Sequence, residues 1–181
     1  AGPGTRIVRA VDEVPDVEVS PFLVHDLREG DRIEVHGPLG AFFMWTPSDD
    51  PAPVQLIAGG SGVVPLFAMA SAHAASADET PFRLLYSVRS PDDVFFADEL
   101  ATLVDDRFTL DLVYTRRAPA DADRAPARLT AEGLRAAVIP ADQQPRVFVC
   151  GPTPFVEAVA GWLIEVGHSS TRIRTERFGG I

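Results

Sequence analysis

Two short stretches hold residue types at spacings that can do chemistry. The first is Ala58-Gly59-Gly60-Ser61-Gly62-Val63-Val64-Pro65. Glycines let a backbone approach a pyrophosphate, and free N–H groups at the start of a following helix favour its charge. The stretch is not a G-x-G-x-x-G fingerprint, because Pro65 stands where the last glycine would be. Nor is it a hydrolase nucleophile elbow, because G-x-S-x-G would need glycine at Val63. Alone, such a turn is equally compatible with a tight bend and nothing more. The second stretch is Val147-Phe148-Val149-Cys150-Gly151-Pro152, an apolar run ending on the one thiol of the chain. A lone buried cysteine is ordinarily structural.

The elements that must position these residues follow from the pattern around them. Val54–Ala58, Phe82–Val88, Phe108–Tyr114, Arg146–Cys150 and Thr171–Thr175 read as strands. Helical stretches fall between them at Val63 to about Ala77, Phe96–Val104, Thr130–Val138 with Thr130 as cap, and Pro154–Val166. Strands alternating with helices predict an α/β fold with a five-stranded, doubly wound parallel sheet covered on both faces. In that order the fourth strand lies beside the first, so Cys150 reaches the switch point where open sheets bind ligands.

Ahead of Pro53 the pattern is short and β-like. Arg6–Asp12 and Arg32–His36 alternate as strands do, and Ser20 caps one or two helical turns that start at Pro21. Gly30-Asp31 and Gly37–Gly40 are turns. The aromatic run Phe42, Phe43, Trp45 is read as core between two domains, the alternative being a face for a second chain. Thr46–Pro53 is polar and proline-rich, as a linker is, which divides the chain into 1–48 and 49–181.

Composition removes several classes of function. All 16 basic residues are arginine, so a Walker A lysine and Schiff-base chemistry are excluded. A net charge of −10 is a poor match for nucleic acid. One cysteine and four scattered histidines cannot build an iron–sulfur cluster or a multi-ligand zinc cage, so no metal site is expected. No apolar run approaches the roughly 20 residues of a membrane span, and the first residues do not read as a signal peptide. A reducing, cytoplasmic setting is expected.

Taken in order, Ser20-x-x-Leu23, Gly30-Asp31, Gly37-Pro38-Leu39-Gly40-Ala41-Phe42, Gly59–Pro65, Tyr86-Ser87-Val88-Arg89, Glu99-Leu100, Cys150-Gly151-Pro152 and Glu176-Arg177-Phe178 resemble the ferredoxin–NADP reductase-like family. The likeness is to its bacterial flavin reductases and oxygenase reductases, and it covers nearly the whole chain. It implies that the sheet is a nucleotide-binding domain preceded by the remainder of a flavin-binding β-barrel. Gly59, Gly60, Ser61, Gly62, Val63 and Pro65 would then cradle the pyrophosphate of NADPH or NADH. Cys150, Gly151 and Pro152 would lie against the nicotinamide. Glu176 and Phe178 would close the site near the flavin, and Ser20 would contact the diphosphate of FAD. Arg89, with Thr115, Arg116 and Arg117 after the third strand, looks like the set that family members use for the 2′-phosphate of NADPH; guanidinium suits phosphate. The rival reading pairs these arginines with Asp92, Asp93 or Asp121; of the two nucleotides NADPH is the one expected.

The chain departs from the family at its start. The Arg-x-Tyr-Ser motif that grips flavin in the family has no counterpart, since Tyr86 and Tyr114 are the only tyrosines. Val17 stands where the family usually has glycine. Arg6–Asp12 resembles the strand after that motif, so the chain is read as beginning within the barrel. It is then either a piece of a longer protein or a short form whose flavin site is lost or completed by a partner chain or dimer. Two functions follow from the resemblance. One is an NAD(P)H-dependent flavoprotein oxidoreductase that passes hydride to FAD and electrons to a separate acceptor, whether a ferredoxin-like protein, an oxygenase or P450-type protein, or a small molecule. The other is a non-catalytic dinucleotide-binding or interaction subunit without its own flavin.

Overall fold

A computed structural model describes residues 21–34, 42–47, 52–122 and 124–179. By its internal contacts the chain divides into Ala1–Ala41 and Phe42–Ile181. The second unit is built on five strands: β1 (Val54–Gly59), β2 (Phe82–Val88), β3 (Phe108–Tyr114), β4 (Arg146–Pro152) and β5 (Ile173–Phe178). All neighbours run parallel, in the order β3-β2-β1-β4-β5. β1 is central and every one of its residues is buried, whereas β5 at the edge is half-buried at best. Near-continuous burial marks strands covered on both faces, and β1, β2 and β4 have it, whereas β3 is mostly half-buried.

Helices α1 (Val63–Ala74) and α2 (Ala97–Leu103) cover one face, where Leu66, Met69 and Leu100 join Leu56, Leu84 and Phe148 in one cluster. Leu100 is the one buried residue of the short α2, and its truncation to alanine is expected to cost about 2–5 kcal/mol. Helices α3 (Ala131–Ala137) and α4 (Thr153–Glu165) cover the other face, with Leu134, Val156, Val159 and Leu163 against Ile57, Leu85 and Val149. Thr130 caps α3 as expected, its hydroxyl accepting from the Gly133 N–H at 3.1 Å. Pro65 is the third residue of α1, where a missing N–H costs no helical bond.

Gln55 is a fully buried polar residue in the middle of β1, and it is satisfied. Its Nε2 donates to the carbonyls of Leu56 and Arg83, both at 3.1 Å, and its Oε1 accepts from the Ile139 N–H at 2.8 Å. That amide ties the chain after α3 to the sheet.

The aromatic run does not act as one unit. Trp45 is buried on the α1 face, edge-on to Phe82 (5.0 Å between centroids) and to His73 (5.5 Å). His73 stacks on Phe82 at 4.1 Å, and burial, assisted by the Arg107 charge, holds its pKa below the ordinary histidine value. Phe43 meets Phe148 of β4 edge-on at 5.6 Å, while Phe42 is 67% exposed. Trp45 and Phe43 thus complete the core of the α/β unit itself.

Among the described residues of Ala1–Ala41, Phe22–Asp26 forms a wide helical turn closed by the Leu27 N–H on the Phe22 carbonyl at 3.0 Å. Arg28–Asp31 forms the expected turn, with Gly30 at φ +95. Arg32–Glu34 form no strand, against the alternation of their sequence. Ser20, Arg6–Asp12, Gly37–Gly40 and the middle of the expected linker lie outside the described residues. No helix among the described residues is long and apolar enough to cross a membrane.

Candidate functional site

Sheet order reverses between β1 and β4, and the carboxyl ends of the strands open there onto a cavity of about 440 Å³. One wall is backbone. β1 ends at Gly59, and Gly60–Gly62 makes one tight turn before α1 begins at Val63. Gly60 takes φ +54, a left-handed conformation that a side chain would strain. A methyl group built on Gly62 would run into the backbone carbonyl of Cys150, so the turn can cross the end of β4 only without a side chain. Gly59, Gly60 and Ser61 line the cavity; Gly62, Val63 and Pro65 stand behind them as the start of α1.

β4 brings the second motif alongside. Cys150 pairs in register with Ala58 on one side and Glu176 on the other. Its thiol is buried, and its pKa is pushed up to about 11, chiefly by burial and then by the Glu176 carboxylate, against a smaller opposing effect of a hydrogen bond with the Gly151 backbone. A thiol so raised is not a thiolate nucleophile at neutral pH. Pro152 reaches the cavity wall, and Phe178, its register partner on β5, stands beside it, 40% exposed.

The opposite wall comes from β2 and β3. The Thr115 N–H bonds the Val88 carbonyl at 2.8 Å, and the Arg116 and Arg117 N–H groups both bond the Arg89 carbonyl at 2.9 and 3.0 Å. This lacing brings Arg89 and Thr115 to the cavity but not Arg116 or Arg117. Arg117 instead makes a close, exposed ion pair with Asp92. Asp93, held by the Ser90 hydroxyl at 2.6 Å, presents its residue to the cavity beside Arg89.

Thus Gly59, Gly60, Ser61, Arg89, Thr115, Pro152 and Phe178 meet on one cavity, with Gly62, Cys150, Gly151 and Glu176 directly behind or beside them. Sequence reasoning missed Asp93, Phe95 and Phe155, which also line it. Phe155 had a readable signal: two glycines, Gly59 and Gly151, end neighbouring strands, and a ring fills the room their missing side chains leave. Among the described residues no three His, Cys, Asp or Glu side chains group as metal ligands.

This is the architecture of an α/β nucleotide-binding unit with its ligand cleft at the switch point. The family profile described as "Oxidoreductase NAD-binding domain" matches residues 56–161, more than half of the chain, and the chain belongs to this family of ferredoxin reductase-like oxidoreductases. The glycine betaine monooxygenase reductase subunit of Pseudomonas aeruginosa is 30% identical over 172 residues, covering 93% of this chain and 46% of that protein. A flavohemoprotein of Rhodopirellula baltica is 31% identical over 180 residues, covering 96% and 43%. Among solved structures, the Amycolatopsis cytochrome P450 reductase GcoB superposes with a TM-score of 0.71 at 28% identity, over 88% of this chain and 47% of that one. The FAD/NAD binding domain of nitric oxide dioxygenase from Vibrio cholerae shares the fold, with a TM-score of 0.76 at 24% identity over 95% and 69%. The chain spans a little under half the length of the two curated relatives.

Proposed function

We propose that this chain is the nucleotide-binding part of an NAD(P)H-dependent flavoprotein reductase, one that passes electrons to a separate acceptor of the oxygenase or P450 type. The observation that carries this reading is the convergence, on one cavity, of a glycine turn that a single Cβ would block, the Cys150-Gly151-Pro152 strand end and the Phe178 ring. A dinucleotide fits that chemistry. The turn offers backbone close to a phosphate at the start of a twelve-residue helix, and the walls on either side differ in kind, charged toward β2–β3 and apolar toward β4–β5.

When bound, the nicotinamide supplies hydride to a flavin ring stacked against it. The residues of this chain bind and orient. Gly59 to Pro65 hold the pyrophosphate, and Cys150 presents a small, protonated thiol at the ring. Gly151 and Pro152 let the ring lie flat against β4, and Phe178 with Glu176 shields it from the open side. Ser20 contacts the flavin diphosphate; residues 1–41 belong to the flavin barrel, and the nucleotide domain starts ahead of the expected boundary at 48/49, since Phe43 and Trp45 pack in its core. Cys150 as a free thiol suits the reducing, cytoplasmic setting proposed for the protein.

Charge around the ribose wall supports NADH as the preferred nucleotide. Arg117 is occupied by Asp92, and Asp93 stands in the cavity where a 2′-phosphate would meet a second anion. A carboxylate there accepts a hydrogen bond from a 2′-hydroxyl and repels a phosphate. Arg89 is the basic group the cavity keeps for a phosphate.

The test is colour and bleaching. Purified chain is incubated with FAD, freed of excess, and titrated anaerobically with NADH and NADPH. A yellow protein bleached by NADH at lower concentration than NADPH is expected. Protein that stays colourless would overturn the flavin part of the reading for this chain.

A further inference from the structure

Phe155 is the third residue of α4, and the packing of that helix against the sheet rests on Val156, Val159 and Leu163, which are fully buried. The Phe155 ring is half-buried and does something else. A methyl built on Gly59 would lie 2.7 Å from its Cδ1 and 3.0 Å from its Cε1 and Cγ. One built on Gly151 would lie 2.8 Å from the same Cδ1 and 3.2 Å from Gly59 Cα. The ring therefore occupies the room that two neighbouring strand ends leave by lacking side chains, and it also lines the cavity.

We infer that Phe155 is a positioning residue, a wedge that sets the gap between the β1 glycine turn and the β4 end and thereby orients the nicotinamide half of a bound dinucleotide. This rests on the nucleotide reading above. From a phosphate at the β1 turn, a dinucleotide extends in two directions along the strand ends. Toward β2 and β3 it meets Arg89, Asp93 and Thr115; toward β4 and β5 it meets Pro152 and Phe178. Phe155 stands on the second side, between the backbone that grips the phosphate and the backbone that carries Cys150. Removing the ring leaves a void between two strand ends that carry no side chains to fill it. The β4 end and the turn are then free to shift against each other, and binding energy that depends on their spacing is lost. Contacts on the adenosine side are untouched.

The experiment compares NADH with ADP-ribose, which lacks only the nicotinamide, by calorimetric titration of the full chain. In Phe155→Ala, NADH affinity is expected to fall roughly tenfold while ADP-ribose affinity stays within about twofold. Phe155→Leu, which keeps an apolar side chain and guards against loss of folding, is expected to fall between the two. Equal loss for both ligands would overturn the inference, because a merely structural role weakens the whole site. A second arm needs no ligand. Gly59→Ala drives its Cβ into the ring, so its thermal penalty is expected to shrink by more than half in the Phe155→Ala background; penalties that simply add would overturn the wedge. Wild-type chain that binds neither ligand would sink the nucleotide reading alone, and the thermal arm would still decide the packing.

Discussion

The two walls of the cleft are built by opposite means. The β1–β4 wall is defined by side chains that are missing: Gly59, Gly62 and Gly151 let three stretches of backbone and one ring pack where no Cβ fits. The β2–β3 wall is defined by side chains that are charged and exposed, Asp93 beside Arg89, with the Arg117–Asp92 ion pair outside the cavity lining. Backbone packing is rigid and intolerant. Exposed ion pairs are weak and exchangeable, worth at most about 1 kcal/mol. The first wall suits the invariant part of a ligand, its pyrophosphate and reactive ring; the second suits the part that differs between NADH and NADPH.

Substitutions that distinguish the walls sharpen this contrast. The largest effect is expected at Gly62→Ala, where the new methyl meets the Cys150 carbonyl and nothing flexible can yield. Urea unfolding should show a loss of about 3 kcal/mol, with nucleotide binding abolished. A loss within experimental error would mean the turn is not pinned to β4.

Next comes Asp93→Asn on the charged wall. Removing the carboxylate should raise NADPH affinity roughly tenfold with little change for NADH, and adding Arg89→Ala should reverse the gain. Unchanged NADPH binding in both variants would separate this wall from the 2′ position.

A smaller and graded effect belongs to the far end of α1. The pKa of His73 is lowered by burial, and that of His168 likewise, so the unfolded chain takes up protons below about pH 6.5 that the folded chain refuses. Stability is therefore full above that pH and declines as pH falls toward the lower folded values. Unfolding midpoints at pH 7.5 and 5.5 measure the decline, and His73→Phe should flatten part of it. A midpoint that rises on acidification would contradict the assignment. The smallest effect is expected for Arg117→Ala, within about 0.5 kcal/mol of wild type in thermal unfolding, because both partners of its ion pair are exposed. A larger cost would make the charged wall structural as well.

The same contrast explains what could be read beforehand. Phe82–Val88 and Phe108–Tyr114 emerge with the expected bounds, since each keeps apolar residues at alternate positions. β5 runs on to Phe178, past the expected Thr175, because an edge strand carries polar residues such as Arg174 and Glu176 that mask its extent. α1 stops at Ala74, short of Ala77, where the Ser76 N–H and hydroxyl both take the His73 carbonyl. In the site, the glycines and Cys150 were legible because their spacing encodes close approach. Asp93 was not, because an aspartate in a loop is ordinary until the fold brings it to the strand ends, and the one trace of Phe155 was the pair of strand-end glycines whose room its ring fills. The Asp92–Arg117 pair, 25 residues apart, was visible only as one of three equal alternatives.

The most direct test of a switch-point dinucleotide cleft is an amide NMR titration of the isotope-labelled chain with NADH. Shifts confined to Gly60–Val63, Cys150–Gly151, Phe155 and Arg89 with Thr115 are expected, saturating together with one affinity. Saturable shifts gathered elsewhere, or none at the Gly60–Val63 turn, would contradict it.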